Sequence, residues 1–329
     1  MSTRESPSVA FRTLATVLMT LAGALLSSVA AVAAQSEPAA HAPRTDVTDV
    51  TDVTDKIIVS GASGQLGRAV VQDLLARGVP AKNLILVSRT PDSLQDFAKL
   101  GASTRFGDFS KPESLPAAYA GGKRMLLISI GFSNVPRPQA QKRAIDAAVA
   151  AGVRQIAYTS YVSIGGGDYS GIAADHYQTE ENLKKSGAQW TFLRNSIYMD
   201  QLLPQAAKML AEGRAVVPAN EFKIGYVTRA DCAAAAAAAI STPGHENKAY
   251  DITGSELIGI RDIAAAASAA TGKPIAVSDA DPNAPPVRTF GSASTARVST
   301  AVKDMTGHAP TTLSMLLQAN KSALLGSGK

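Results

Sequence analysis

Residues 56–67, KIIVSGASGQLG, place three evenly spaced glycines directly after an apolar run. The run IIV predicts a short buried strand, and the residues that follow the glycines predict a helix. Gly61, Gly64 and Gly67 have the spacing G-x-x-G-x-x-G at the junction between these two elements. Because a strand, a glycine-rich turn and a helix follow one another here, the segment predicts the first unit of an α/β fold.

Each glycine of the motif has its own physical reason. The first permits a tight turn, the second lets main-chain N–H groups approach a pyrophosphate, and the third lets the helix pack closely against the strand. The N-terminus of the helix adds unpaired N–H donors and the positive end of its dipole. Glycines that only make a turn are the alternative, but the surrounding pattern favours a dinucleotide site.

Short apolar runs alternate with helical stretches from residue 56 onwards. The runs include NLILVSR (83–89), RMLLISI (124–130), QIAYTS (155–160) and WTFLRN (190–195). Strands that are apolar on both faces belong in a parallel sheet covered by helices. The pattern therefore predicts an α/β fold with a doubly wound, Rossmann-like parallel sheet. Five glycines fall where helices should end and are expected in the left-handed conformation: Gly78, Gly101, Gly152, Gly187 and Gly213.

The segments on either side of this pattern differ in composition. Residues 13–34 lack charge and follow a short stretch that contains Arg4 and Arg12, which is typical of an export signal. An uncleaved membrane anchor is the alternative, because the run is long enough to cross a bilayer. We therefore expect a signal peptide or membrane anchor at 1–34, a polar linker at 35–55, a dinucleotide-binding domain at 56–214 and a smaller C-terminal α/β substrate-pocket portion at 215–329.

This organisation predicts where the protein is found. We expect an exported, periplasmic or membrane-anchored protein that contacts the membrane only through residues 1–34, and a cytoplasmic protein if that segment is not used. The net charge of +5 is mild and the basic residues are scattered, so no nucleic-acid partner is predicted. The single Cys232 permits no internal disulfide, and no metal site is predicted.

Arg89 follows the second predicted strand, in the sequence SRT, where an NAD site usually has Asp or Glu. An arginine at this place can stack on adenine and pair with a ribose 2′-phosphate. It therefore predicts NADPH as the cofactor, with NADH as a weaker one. A surface arginine at the start of the helix that begins at Pro91 is the alternative. Asp108, after the third strand, is expected near the adenine, or else as an acid at a helix N-terminus.

The chain resembles the NmrA-like, atypical short-chain dehydrogenase/reductase group and, within it, the bacterial NAD(P)H:quinone oxidoreductase 2 type. The likeness runs from about residue 56 to about residue 325. It rests on SGASGQLG (60–67), AGVRQIAYTS (151–160), ADHYQTEENLKKSG (174–187), WTFLRNSIYMD (190–200) and VTRADCAAAA (227–236). The resemblance implies an NADPH-dependent reductase of quinones, or a relative that uses the same fold.

The resemblance also implies a cofactor site, carried over by motif. It comprises the pyrophosphate loop, the arginine after the second strand, and the ends of the strands that follow. The residues are Gly61, Ser63, Gly64, Gln65, Leu66, Gly67, Arg89, Asp108, Ser129, Ile130, Ser160, Asn195, Ser196, Ile197 and Tyr198. Tyr198 is implied to lie near the nicotinamide. The family's usual GWY is SIY here, which leaves the size of the pocket beside the nicotinamide open.

The proton donor is less well defined, because the Tyr-x-x-x-Lys pair of typical short-chain dehydrogenases is absent from the helix after the fifth strand. A quinone tolerates this, since its reduced oxygen is a much weaker base than an alkoxide. His176 and Glu180 share one helical face, so His176 could bind a quinone carbonyl while Glu180 orients its ring. A polar surface pair without a catalytic role is the alternative. Tyr161 is the second candidate donor, and Tyr198 completes the candidate catalytic residues.

Two functions follow from these patterns. The first is an NADPH-dependent oxidoreductase that transfers a hydride to a small quinone or a similar electron acceptor. The alternative is a non-catalytic NADP(H)-binding protein that senses the redox state of the dinucleotide. The oligomeric state is left open, with a homodimer as one possibility.

Overall fold

A seven-stranded parallel sheet lies at the centre of the part of the chain that the computed structural model describes, residues 55–131, 135–283 and 291–326. The strands in chain order are β1 (Ile57–Ser60), β2 (Leu84–Ser88), β3 (Ser103–Phe106), β4 (Arg124–Leu127), β5 (Gln155–Tyr161), β6 (Gln189–Asn195), β7 (Arg214–Val217), β8 (Lys248–Ile252) and β9 (Ala276–Asp279). The predicted leader, residues 1–34, and the predicted linker apart from Asp55 lie outside the described residues.

The sheet has the order β3-β2-β1-β4-β5-β6-β8, and every neighbouring pair is parallel. In register, Ile57 of β1 lies opposite Leu84 of β2 on one side and Arg124 of β4 on the other. All residues of β1 and β2 are buried, which explains why both strands are continuously apolar. The predicted doubly wound, Rossmann-like fold is confirmed.

Helices connect the strands and cover both faces of the sheet. They are α1 (Gln65–Ala76), α2 (Gln95–Lys99), α3 (Leu115–Tyr119), α4 (Arg137–Ala150), α5 (Gly171–Lys184), α6 (Leu202–Glu212), α7 (Arg229–Ser241), α8 (Ile260–Thr271), α9 (Ala301–Thr306), α10 (Leu313–Ala319) and α11 (Lys321–Leu324). Apolar side chains of α1, α7 and α9 form the core on one face, and those of α3, α4 and α5 form the core on the other.

The glycines that end the predicted helices behave as expected. Gly78, Gly101, Gly152, Gly187 and Gly213 have φ values between +63° and +103°, in the region that residues with a side chain rarely adopt. The alanine run of residues 233–239 is buried throughout. Because these side chains are small, α7 packs against α1 and the sheet at the same time.

The C-terminal region contributes to two cores. α6, α8, α10 and β7 surround a third apolar cluster, beside which β7 and β9 form a separate two-stranded parallel sheet. In contrast, β8 is a strand of the main sheet and α7 packs against that sheet, although both follow residue 214. The domain boundary at 214/215 stays a prediction. Within the described ranges, none of the helices combines the length and the apolar character needed to span a bilayer.

The strand order places a crevice at the carboxyl edge of the sheet. The chain runs from β1 outwards to β2 and β3, and then returns to the other side of β1 to form β4. The loops after β1 and β4 therefore leave in opposite directions, and ligands of such sheets bind between them.

Candidate active site

A cavity of about 560 Å³ opens at this edge of the sheet. Its wall consists of the glycine loop after β1, the ends of β2 and β4, and residues 107–110 after β3. Gly61, Ser63, Gly64, Arg89, Asp108, Ser129 and Ile130 line it. The structure thus brings together the predicted residues from four separate parts of the chain.

The glycine loop has the conformation that the motif requires. Gly61 has a φ of +93°, and its amide and that of Ala62 donate to the Val87 carbonyl at 2.9 and 3.1 Å. A Cβ added at Gly67 would overlap with the Gly61 carbonyl oxygen and the backbone of Ala62, so the helix could not lie this close to the loop with any other residue. At Gly64 an added Cβ would make only an ordinary contact. This agrees with a glycine that leaves room for a ligand.

The N-terminus of α1 is open to an anion. No side chain caps it, and its first turn contains no acidic residue. Gln65 is exposed there, whereas the Leu66 side chain packs in the core and leaves only its amide near the helix end. Unpaired amides and the positive end of the helix dipole suit a pyrophosphate. These features fit the dinucleotide that the sequence predicts.

Serine side chains join the loop to the end of β2. The Ser88 hydroxyl donates to Ser63 Oγ at 2.7 Å and accepts from the Thr90 amide at 2.9 Å. Arg89, between these two residues, is exposed and lines the cavity. Its guanidinium is therefore available to a phosphate at the adenosine end. The hydrogen bonds by which Ser88 joins β2 to the glycine loop were not predicted, although Ser88 directly precedes Arg89 in the sequence.

Asp108 lies in the cavity wall but is held within its own turn. Its Oδ1 accepts from the Ser110 amide at 2.9 Å and from the Ser110 hydroxyl at 2.8 Å. Burial alone would raise the pKa of Asp108, but the hydrogen bonds from Ser110 and the charges of Arg89 and Lys111 lower it below the ordinary value. A carboxylate is thus fixed beside Arg89 in the cavity wall.

The end of β4 is held from two directions. The Ser129 amide donates to Thr159 Oγ1 of β5 at 2.8 Å. The Ile130 carbonyl accepts from Arg137 Nε at 2.9 Å, and Arg137 Nη1 also pairs with Asp175 of α5 at 3.2 Å. Sequence reasoning missed Arg137. The available signal was a basic residue at the start of a helix, where the dipole disfavours a positive charge.

The segment after β6 contains two buried polar side-chain atoms that make no hydrogen bond to the described residues. Asn195 Oδ1 and Ser196 Oγ are buried without a hydrogen-bond partner among the described residues. Ile197 accepts from the Val227 amide at 3.2 Å, and the Arg229 guanidinium lies 5.1 Å from the centre of the Tyr198 ring. Burial raises the pKa of Tyr198, which therefore stays protonated at neutral pH. Unpaired buried polar atoms are rare in proteins and are consistent with a ligand that completes their bonding.

His176 is buried between α5 and β5 and is not part of the cavity wall. Its Nδ1 is 2.8 Å from the Tyr158 hydroxyl, and its ring centre is 6.1 Å from that of Tyr161. Burial, together with the charge of Arg137, lowers the pKa of His176 to about 3. The imidazole is therefore neutral at pH 7. The ring can donate or accept hydrogen bonds, but it is not an imidazolium that could act as a general acid at pH 7.

The predicted orientation of His176 by Glu180 is wrong. Glu180 is fully buried and accepts instead from the Ser160 hydroxyl at 2.6 Å and from Arg194 Nε and Nη2 at 2.9 and 2.7 Å. Helical spacing alone does not decide the partner, because a buried carboxylate needs a cation and Arg194 of β6 supplies one. The Ser160 side chain points into this ion pair as a consequence.

Known proteins are similar to this chain in sequence and in fold. A family model described as NAD(P)H-binding matches residues 61–243. Quinone oxidoreductase 2 of Escherichia coli is 38% identical over 221 residues, which cover 67% of this chain and 76% of that protein. An NAD(P)H azoreductase of Xenophilus azovorans is 32% identical over 223 residues, which cover 67% of this chain and 75% of the azoreductase.

A solved structure gives the same picture. The crystal structure of an NADPH-dependent quinone oxidoreductase from Escherichia coli, complexed with NADPH, superposes with a TM-score of 0.70 at 31% identity. The match covers 79% of this chain and 98% of that one. The fold described above is thus one that binds NADPH in a similar protein.

The buried, neutral state of His176 predicts a pH-dependent stability. Because its pKa is about 3 in the folded state and about 6.5 when exposed, the unfolded chain binds more protons between these values. The free energy of unfolding should therefore fall by about 2 kcal/mol between pH 7 and pH 5 through this group. Urea unfolding of the wild type and of His176→Gln at both pH values measures the difference. Equal losses in the two proteins would contradict it.

Proposed function

Because this chain belongs to the NAD(P)H-binding, NmrA-like family, we propose that it is an NADPH-dependent oxidoreductase that reduces a small quinone or a similar electron acceptor. The observation that carries the proposal is the cavity at the carboxyl edge of the sheet, where the uncapped end of α1 and the exposed Arg89 converge. The similarity to quinone and azo reductases supports the class of acceptor.

The chain's own residues divide the work of binding. The amides at the start of α1 bind the pyrophosphate, and Arg89 binds the 2′-phosphate. Asn195 and Ser196 offer their unpaired oxygens to the nicotinamide end. When bound, NADPH supplies the hydride that reduces the acceptor. The protein's task is therefore mainly to hold and orient two ligands.

Protonation of the acceptor needs little help from the protein. The reduced oxygen of a quinone is weakly basic, so water or a neutral donor is sufficient. His176 is uncharged at neutral pH, and Tyr161 is partly exposed at the end of β5. We assign the partly exposed Tyr161 hydroxyl to hydrogen bonding with the acceptor oxygen, and the buried His176 to packing behind Tyr158 and Tyr161. Burial raises the pKa of Tyr161 and keeps its hydroxyl protonated.

A non-catalytic sensor of NADP(H) is the second candidate. The Tyr-x-x-x-Lys pair is absent from α5, whose residues at the matching spacing are His176 and Glu180, and this absence is compatible with both functions. Such a protein would bind the dinucleotide in the same cavity and would reduce nothing. The two functions therefore differ in turnover and share their affinity for NADPH.

Turnover decides between the two functions. We expect the purified full-length chain to oxidise NADPH at a steady rate only when a benzoquinone or a naphthoquinone is present. Absorbance at the NADPH band measures the rate, and a fluorescence titration measures NADPH binding in parallel. Tight binding of NADPH without turnover on any quinone would overturn the enzyme and leave the sensor.

Arg89 should determine the preference for the phosphorylated cofactor. We expect Arg89→Ala to raise the KM for NADPH by about 10-fold to 100-fold, because a charged hydrogen bond to the phosphate is lost. The KM for NADH should change much less. Steady-state kinetics with both cofactors measure the two constants. Arg154→Ala is the matched control, since Arg154 is an exposed arginine that pairs with Asp55. Equal changes in KM for NADPH and NADH would contradict a contact between Arg89 and the 2′-phosphate.

The location and the oligomeric state are further parts of the proposal. The uncharged run of residues 13–34 supports export or membrane anchoring, and membrane contact through this segment alone. An exported reductase would need a supply of NADPH outside the cytoplasm. Cell fractionation with sequencing of the mature N-terminus should find the protein outside the cytoplasm, and a full-length cytoplasmic chain would contradict this. Light scattering tests the homodimer.

A further inference from the structure

Arg137 joins two elements that meet beside the cavity. Its Nε donates to the Ile130 carbonyl at the end of β4, at 2.9 Å, and its Nη1 pairs with Asp175 Oδ2 of α5 at 3.2 Å. The Arg137 side chain is only 9% exposed. We call these contacts of Arg137 with Ile130 and Asp175 the guanidinium bridge.

The position of Arg137 in its own helix does not explain its charge. It is the first residue of α4, where the helix dipole disfavours a cation, and the first turn of α4 contains no acidic residue. The carboxylate that balances it comes from a different helix. The charge of Arg137 does not stabilise α4. Its contacts with the end of β4 and with α5 therefore explain why an arginine is buried at this position.

Both ends of the guanidinium bridge lead to the proposed site. Ile130 lines the cavity, next to Ser129, whose amide is held by Thr159. Asp175 immediately precedes His176, which contacts the Tyr158 hydroxyl. The bridge therefore joins the β4 wall of the cavity to α5, the helix that carries His176.

The bridge also influences the charge state of His176. The imidazole faces Tyr158 and Tyr161 of β5, and the charge of Arg137 of α4 acts on it. Asp175 and Glu180 of its own helix are paired with Arg137 and Arg194. Burial is the larger cause of its low pKa, and the charge of Arg137 adds to it. Arg137 thus holds Asp175, the residue before His176, and its charge disfavours protonation of the imidazole.

We propose that Arg137 is a positioning residue of the reaction, which holds the β4 wall of the cavity in register with His176 through the guanidinium bridge. This inference rests on the proposed reductase function. In the proposed function the phosphate end contacts the start of α1, which follows β1, and Arg89, which follows β2, whereas α5 follows β5 on the other side of β4. Loss of the bridge should therefore leave affinity nearly intact and misalign the reacting ends, for which an error of about 1 Å costs about 100-fold in rate.

Two variants of the full-length chain test the proposal. Arg137→Lys keeps the charge and loses the planar fork that reaches Ile130 and Asp175 together. Asp175→Asn keeps the shape and loses the ionic half of the bridge. We expect kcat with a naphthoquinone to fall by about 10-fold to 100-fold in Arg137→Lys and by less in Asp175→Asn. The dissociation constant for NADPH should stay within about 3-fold of the wild-type value in both.

Arg154→Lys is the matched control, because Arg154 also pairs with an aspartate by two hydrogen bonds but lies at the opposite, amino edge of the sheet. It should retain the wild-type kcat. Unchanged kcat in both bridge variants would overturn the proposal and leave the reductase function intact. A loss of NADPH affinity as large as the loss of kcat would make Arg137 a binding residue and also overturn it. A wild type that binds NADPH without turnover would overturn the function and this inference with it.

Discussion

The close approach of α1 to the loop after β1 is the constraint on which the candidate site depends. Gly67 lies so near the Gly61 carbonyl that no side chain fits between the helix and the loop. Because the helix begins there, its first amides open onto the edge of the sheet. The same loop donates two hydrogen bonds to the Val87 carbonyl, and Arg89 follows two residues later. One junction thus places both the amides and the guanidinium that an anionic ligand requires.

The two ends of the proposed site differ in whether their charged side chains are exposed or buried in ion pairs. At the adenosine end Arg89 is exposed, which suits a phosphate that arrives with its own negative charge. Around β5 and β6 the charges are buried and already paired, as in the contact of Glu180 with Arg194. A buried carboxylate without such a cation would cost several kcal/mol. The part of the site that we propose for the acceptor therefore offers neutral hydrogen-bonding groups, which match an uncharged acceptor.

The neutral state of His176 is consistent with a reaction that asks little of a proton donor. Typical short-chain dehydrogenases form an alkoxide and need a tyrosine and a lysine to protonate it, whereas a quinone does not. Without that pair the protein lacks the usual means of protonating an alkoxide, but hydride transfer from the nicotinamide does not depend on it. The structural contribution to such a reaction is alignment, for which we propose the contacts of Arg137 at the end of β4.

Local patterns determined much of this protein. The glycine motif, the apolar runs and the helix-ending glycines predicted the parallel sheet, the cavity loop and the place of Arg89, because each depends on residues close together in the chain. The partners of Glu180 and His176 and the contacts of Arg137 came only from the tertiary structure. Helical spacing placed Glu180 beside His176, but the fold brought Arg194 from β6 to it, and a buried charge selects the nearest opposite charge whatever its distance in sequence.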